Sequence, residues 1–505
     1  MQRTSGVLMH ISSLANRYGI GSFGQEAYQF VDFLRNSKQT YWQILPLTTT
    51  SYGDSPYQSF SAFAGNTHLI DLEALVQAGW LQATDLEAIP FQERADQVDY
   101  HRIFQVRRPL LEKAVQSFQA QASSKDQEAL ADFIQEQASW LDPFCHYMAV
   151  KEAFDLKSWT QWPQAYQDPT TKEVQELLKQ EAEVIYYHQV TQFWFFQQWQ
   201  ALKAYANRSG IQIIGDMPIY VAYDSVEMWL DRDLFKTDAK GRAVALAGTP
   251  PDNFTADGQF WGNPIYDWDY MKQTGYAWWI DRIQASLELY DVLRIDHFRG
   301  FESYWEVPAD AQTAAEGHWV KGPGLDLFQA LQKALGDLPI IAEDLGFMTD
   351  EVIAMRDATG YPGMKILQFG FEGDSDSTDL PHHYPVNSIA YVGNHDNETA
   401  RGWWEDTANQ DQRDQVDRYL NRRPGQAPSQ VLNQGLAASV SQVVIYTMQD
   451  LLDLGNEARM NQPSTIGCNW QWRMSRPQVP QAVQEELTQI TETYFRVNPQ
   501  LVEES

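Results

Sequence analysis

Cysteine is almost missing from this chain. Only Cys145 and Cys468 occur in 505 residues, far apart, so neither a disulfide framework nor a cysteine metal cluster can be built from them. A reducing, cytoplasmic setting is expected. Basic residues are also scarce, with 37 Lys+Arg against 67 Asp+Glu and a formal charge of −30. Such a surface repels phosphate backbones and anionic lipid at long range, which argues against nucleic-acid and membrane partners. No run approaches the roughly 18–20 apolar residues of a membrane span. The opening "MQRTSGVLMHISSLANRYG" has an apolar patch, but His10 and two serines interrupt it before a signal-like core forms, and it reads as a first strand over 6–14. Also lacking are a Gly-rich phosphate loop and a serine in a nucleophile-elbow motif, which removes two rival chemistries.

Aromatic residues are abundant: 18 Trp, 24 Tyr and 24 Phe, 13% of the chain. A large core accounts for most of them. Clusters beside polar loops, such as "FWGNPIYDWDY" and "GWW", are better explained as rings on which sugar faces stack.

Short apolar runs ending in polar residues recur at 6–14, 41–47, 211–221, 291–298, 338–346, 364–371, 388–397 and 441–452. Helix-compatible segments lie between most of them, including "GQEAYQFVDFLRNSK" and "YAWWIDRIQASLELY". Alternation of this kind predicts parallel β/α units. Eight of them predict an α/β fold closed as a (β/α)8 barrel, with 1–505 as a single catalytic unit. The second and third runs are separated by residues 48–210, whereas each unit of a barrel of about 250 residues takes about 30. An insertion is therefore expected between strands 2 and 3, mainly helical by its periodicity and placed at about 70–205. A second long connection, 222–276, rich in Gly, Pro, Asp and aromatics, follows a strand's C-terminal end and is expected to be an active-site loop region.

Three of these runs end in carboxylates: Asp296 in "VLRIDHFRG", Glu343 in "IIAEDLG" and Asp396 in "VGNHDNET". In a barrel all three converge on one face. Arg294 lies two residues before Asp296, on the same side of a strand, and a cation that close pulls a carboxylate's pKa below its usual range. Asp296 is thus expected to be ionised, as a nucleophile must be; the plain alternative is a structural Arg–Asp pair locking a strand end. Glu343 follows three apolar residues and has no neighbouring cation in sequence, so desolvation is expected to raise its pKa and make it a proton donor. Asp344 competes for that role, although adjacent strand residues face opposite ways. Retaining cleavage of a glycosidic bond requires one ionised and one protonated carboxyl of this kind. His395 reads as part of a metal pair, a triad fragment or a sugar-hydroxyl clamp. No further histidines stand at metal spacing, and the adjacent His382 and His383 do not supply it, so no metal is expected.

Seven stretches together resemble the 4-α-glucanotransferases of the amylomaltase or disproportionating-enzyme type, glycoside hydrolase family 77, relatives of the α-amylases. They are "SYGDSPYQSFSAFAGN" from Ser51, "GDMPIYV" from Gly215, "GTPPDNFTADGQFWGNPIYDW" from Gly248, "RIDHFRG", "AEDLG", "GNHDN" and "NWQWR" from Asn469. The resemblance implies transfer of a glucan segment to an acceptor glucan or glucose, without a cofactor. It implies Asp296 as nucleophile, Glu343 as general acid/base and Asp396 as transition-state stabiliser, with Arg294 supporting the nucleophile. Asp216, His297 and His395 would hold the sugar where the bond breaks. Tyr57 and Trp261 would stack on sugars, and Ser55 and Asp252 would make polar contacts. Phe254, Phe369 and Asn461 complete the implied substrate contacts. An α-glucan hydrolase would use the same three carboxylates, and an inactive glucan-binding protein is the reading from another class; the intact carboxylate triad argues against the latter.

Overall fold

The computed structural model describes residues 2–87, 89–251, 256–373 and 376–502. Its strands, numbered in chain order, are β1 (Thr4–Leu8), β2 (Tyr41–Gln43), β3 (Gln212–Met217), β4 (Ala245–Thr249), β5 (Gln259–Pro264), β6 (Val292–Ile295), β7 (Ser303–Pro308), β8 (His318–Lys321), β9 (Ile340–Ala342), β10 (Gly363–Ile366), β11 (Ser388–Tyr391) and β12 (Val443–Thr447). Eight form one sheet in the order β10-β11-β12-β1-β2-β3-β6-β9, and every pairing within it is parallel. The two ends of that row meet. The Ala342 N–H donates to the Pro362 carbonyl at 3.0 Å, and the Met364 N–H donates to Asp344 Oδ1 at 2.6 Å, closing the sheet into the expected (β/α)8 barrel.

Strand alternation explains why these runs are apolar throughout, since both faces are covered. Val292, Ile214, Ile341, Ile389, Val443 and Leu8 fill the barrel interior. Their chain neighbours Leu293, Ile213, Ile340, Ala390, Val444 and Val7 face the surrounding helices. Each of the eight apolar runs overlaps one of the barrel strands, although β1 and β10 begin before their runs, at Thr4 and Gly363, and every run extends past its strand's end. The first strand stops at Leu8; His10 then receives the Leu45 N–H on Nδ1 at 3.2 Å, and Ile11–Ser13 turns as a 3-10 helix. Apolar residues past a strand end, such as Ile219 and Val221, continue into loops that cover the outer core.

Between β2 and β3 the described residues form seven α-helices, the longest being Tyr100–Gln121 and Ala182–Arg208. Starts are encoded locally: Asp99 caps one helix through the Arg102 N–H, and Ser123 with Asp126 forms a capping box on the next. Helix Ala182–Arg208 also braces the loop that carries Tyr57. Gln192 exchanges two hydrogen bonds of 2.8 Å with the backbone of Gly65. Phe195 lies so close that a Cβ on Gly65 would meet its ring at 2.2 Å.

The 222–276 connection holds more regular structure than its composition suggests. It contributes β4 and β5 to a second, antiparallel sheet ordered β5-β4-β7-β8, whose other two strands come from after β6. Among the described residues no helix is long and apolar enough to cross a membrane.

Candidate active site

The barrel interior changes from apolar to charged at its C-terminal mouth. On β6, Val292 lies in the apolar layer and Arg294, two residues on, is 1% exposed. Its Nη1 donates to both oxygens of Asp216 on β3 at 2.7 Å, and its Nη2 stands 3.0 Å from Asp296 Oδ1. The two carboxylates hold the guanidinium firmly charged, raising its pKa against the opposing effect of burial. Tyr57 Oη adds a third contact to Asp216 at 2.9 Å. The result is a continuous Tyr57–Asp216–Arg294–Asp296 chain.

Asp296 corrects one expectation. Burial pushes its carboxyl above the usual range, Arg294 pulls it back, and Asp396 adds to the rise, leaving it raised overall. Arg294 falls short because it also serves the buried Asp216, while the low-dielectric mouth penalises charge. The Asp296 side chain retains 31% exposure to the cleft, so water there helps to hold its charge until a substrate displaces it.

Glu343 follows β9 on the inward face. Its Oε2 accepts the His297 N–H at 2.7 Å and its Oε1 accepts the Leu345 N–H at 3.0 Å. His297 reaches this position with φ of 52°, the left-handed region that a non-glycine residue occupies at a cost. Burial, then the negative charge of Asp296, drive Glu343 up to about 8, against Arg294 and the two N–H donors. Asp344 turns the other way. It pairs with Arg356 and accepts the Met364 N–H, joining β9 to β10 in the barrel wall.

Asp396 is fixed from several directions. Its Oδ1 accepts from Asn461 Nδ2 at 2.6 Å, its N–H donates to Asn394 Oδ1 at 2.8 Å, and its carbonyl accepts from Arg459 at 2.6 Å. His395 Nε2 lies 3.3 Å from Asp396 Oδ2 and 2.9 Å from Tyr57 Oη. The imidazole and the Tyr57 ring are stacked at 5.5 Å. Burial lowers the pKa of His395 and takes that of His297 down to about 3, so both rings are neutral near pH 7. His395 Nδ1 and His297 Nε2 are buried without a partner. Each is an unmet hydrogen-bonding capacity buried beside the carboxylates.

Nearly all the candidates named from sequence converge here. Trp261, on β5, meets His297 edge-on at 4.8 Å. Phe369 packs over the barrel's interior cluster. Ser55 plays a local part, its Oγ accepting the Tyr57 N–H at 3.2 Å. Asp252 and Phe254 lie outside the described residues. Sequence reasoning missed Trp470, which packs on Tyr57 at 5.6 Å and His395 at 6.1 Å, and also Arg459, Asn394 and Met364, whose Sδ receives Arg294 Nε at 3.4 Å. Trp470 sits inside "NWQWR", the one signal that pointed to it. Among the described residues no group of three or more His, Cys, Asp or Glu side chains is arranged to hold a metal ion.

A barrel mouth with one carboxyl tethered to a buried arginine and another raised toward neutrality has the equipment to break and remake glycosidic bonds, and defines a carbohydrate-active enzyme. The chain belongs to the 4-alpha-glucanotransferase family, whose family model matches residues 9–479. It is 56% identical over 505 residues to the 4-alpha-glucanotransferase of Streptococcus pneumoniae, covering 99% of each chain. It is 44% identical over 482 residues to that of Thermus thermophilus, covering 94% of this chain and 95% of the other. In three dimensions it matches the amylomaltase from Streptococcus agalactiae in complex with acarbose, with a TM-score of 0.96 and 48% identity over 98% of this chain and 100% of that one. Its activity is that of a 4-alpha-glucanotransferase acting on α-glucans.

Proposed function

We propose that the transfer runs as a retaining double displacement in which Asp296 is the nucleophile, Glu343 the acid/base and Asp396 the stabiliser of the charged sugar. Asp296 attacks the anomeric carbon of an α-1,4-linked glucosyl unit while Glu343 gives its proton to the departing 4-oxygen, releasing the reducing-end segment. The ester that forms is neutral, so the charge that helped raise Glu343 is gone. Glu343, now anionic, takes the proton from the 4-hydroxyl of an incoming glucan or glucose. That oxygen attacks the same carbon, expels Asp296 and completes a new α-1,4 bond. His297 Nε2 and His395 Nδ1 are neutral partners for sugar hydroxyls, and Tyr57, Trp261 and Phe369 offer ring faces. The Arg294–Asp296 contact of 3.0 Å beside a Glu343 raised to about 8 carries this reading, because it separates the two carboxyls into an anion and an acid.

The proposal extends to the chain's organisation, with 70–205 as a helical subdomain and 222–276 as a substrate-facing region. It includes maltooligosaccharides, starch or glycogen as donors and a reducing, cytoplasmic setting, supported by two unpaired cysteines, one buried and one exposed. The test is mass spectrometry after trapping with a slow fluorinated glucosyl donor. The glucosyl label is expected on Asp296 and absent from Asp296→Ala. A label on Glu343 or Asp396 would overturn the assignment.

A further inference from the structure

Beyond the carboxylates, at the rim of the same barrel face, two aromatic rings stand open to solvent. Phe347 is 67% exposed and Trp319, on β8, is 37% exposed. Their planes differ by 20°, with centroids 6.4 Å apart. Single exposed apolar side chains need no explanation; an aligned pair held from beneath does. Arg299, itself 3% exposed, lies 3.8 Å from the centre of the indole and donates from Nη1 to the Phe347 carbonyl at 2.6 Å and from Nη2 to Ser303 Oγ at 2.9 Å. Trp305 braces Trp319 edge-on at 5.1 Å. The rings are thus ordered before any ligand arrives, which lowers the entropy lost on binding.

Two chain segments connect this pair to the proton carrier. Phe347 is four residues beyond Glu343, at most about 14 Å of extended chain. Arg299 belongs to the turn that begins at His297, whose N–H holds Glu343, and the next N–H, of Phe298, donates to the Glu343 carbonyl at 3.0 Å. We propose that Trp319 and Phe347 form an outlying platform for an α-1,4-glucan chain, on the side of the cleft where the leaving segment departs and the acceptor enters. Glucan is the occupant because the protein's substrate is a polymer, the pair lies within an oligosaccharide's reach of the reacting centre, and the apolar C–H faces of pyranose rings match flat aromatic surfaces. The choice of side rests on Glu343 as the acid that protonates the leaving oxygen; the binding itself does not.

Affinity electrophoresis of the full chain in the cold, through gels containing amylose, tests the platform. Phe347→Ala is the informative variant because its ring lies mostly in solvent, and Phe347→Tyr restores a flat face. Phe495, 84% exposed, adjoins Arg496, which binds the Thr4 carbonyl at the opposite end of the barrel, so Phe495→Ala is the control. The dissociation constant for amylose is expected to rise about threefold to tenfold in Phe347→Ala, to recover in Phe347→Tyr and to stay unchanged in Phe495→Ala. The ratio of kcat/KM on amylose to that on maltotriose should fall by a similar factor in Phe347→Ala. Equal retardation of Phe347→Ala and wild type, or equal weakening in Phe495→Ala, would overturn the proposal. Retardation reports binding without chemistry, so its outcome is independent of where a trapped glucosyl label goes.

Discussion

Replacing Glu343 with Gln separates the acid's contribution from everything else in the cleft. An ordinary glutamate would be protonated in roughly one molecule in several hundred at pH 7, whereas a group raised to about 8 is protonated in about nine of ten. Holding it there disfavours the ionised form by about 5 kcal/mol, an upper figure because Glu343 borders the open cleft and solvent screens it. Wild-type kcat/KM on maltotriose should fall along an alkaline limb with an apparent pKa near 8, as the donor proton is lost. In Glu343→Gln the rate should drop about a hundredfold to ten-thousandfold and that limb should vanish, since the amide neither donates to the leaving oxygen nor titrates. Stability should move the other way. A carboxyl whose folded pKa is raised favours the native state fully below its unfolded value, and that contribution is lost as pH rises through about 8. Glu343→Gln should therefore melt higher than wild type above pH 8 and differ little at pH 5. A pH–rate profile and thermal melts at both pH values make the check. An alkaline limb that persists unchanged in Glu343→Gln would refute the reasoning.

Arg294→Met leaves Asp216 buried without its cation and should cost about 3–5 kcal/mol in denaturant unfolding; it should also move the acid limb of the rate upward in pH, because Asp296 loses the group that lowers its pKa. Unchanged stability would contradict the shared-guanidinium account. Phe254→Ala, in the ring-rich stretch after Gly248, should lower the ratio of transfer to hydrolysis on maltotriose, measured side by side, if that stretch keeps an acceptor at the intermediate longer than water; an equal loss of both activities would reject it.

Much of the site was legible because two rules act along the chain without help from distant residues. Period-two alternation puts Val292, Arg294 and Asp296 on one face and turns Asp344 away from Glu343, and the ends of the apolar runs marked where the barrel strands deliver their carboxylates. Less legible was the second sheet, because β4 pairs with β7 about sixty residues downstream and its "ALAGT" carries no strong strand signal of its own. The role of Trp470, present only as a letter of "NWQWR", and that of Arg459 were illegible for the same reason: each meets its partner, Tyr57 or Asp396, across a long stretch of chain.

By itself, then, the sequence determined the α/β alternation, the helical stretch between strands 2 and 3, the three carboxylates and the arginine beside one of them, since each is written in local periodicity and neighbouring residues. Tertiary structure alone decided the balance at Asp296 and how far Glu343 is raised. Arg294 is two residues from Asp296 in sequence, but β3 brings Asp216 to the same guanidinium, and closure of the barrel removes most of the water around all three. Burial and shared partners depend on what the fold assembles from distant segments, so Asp296 ends above its usual range and Glu343 near neutrality.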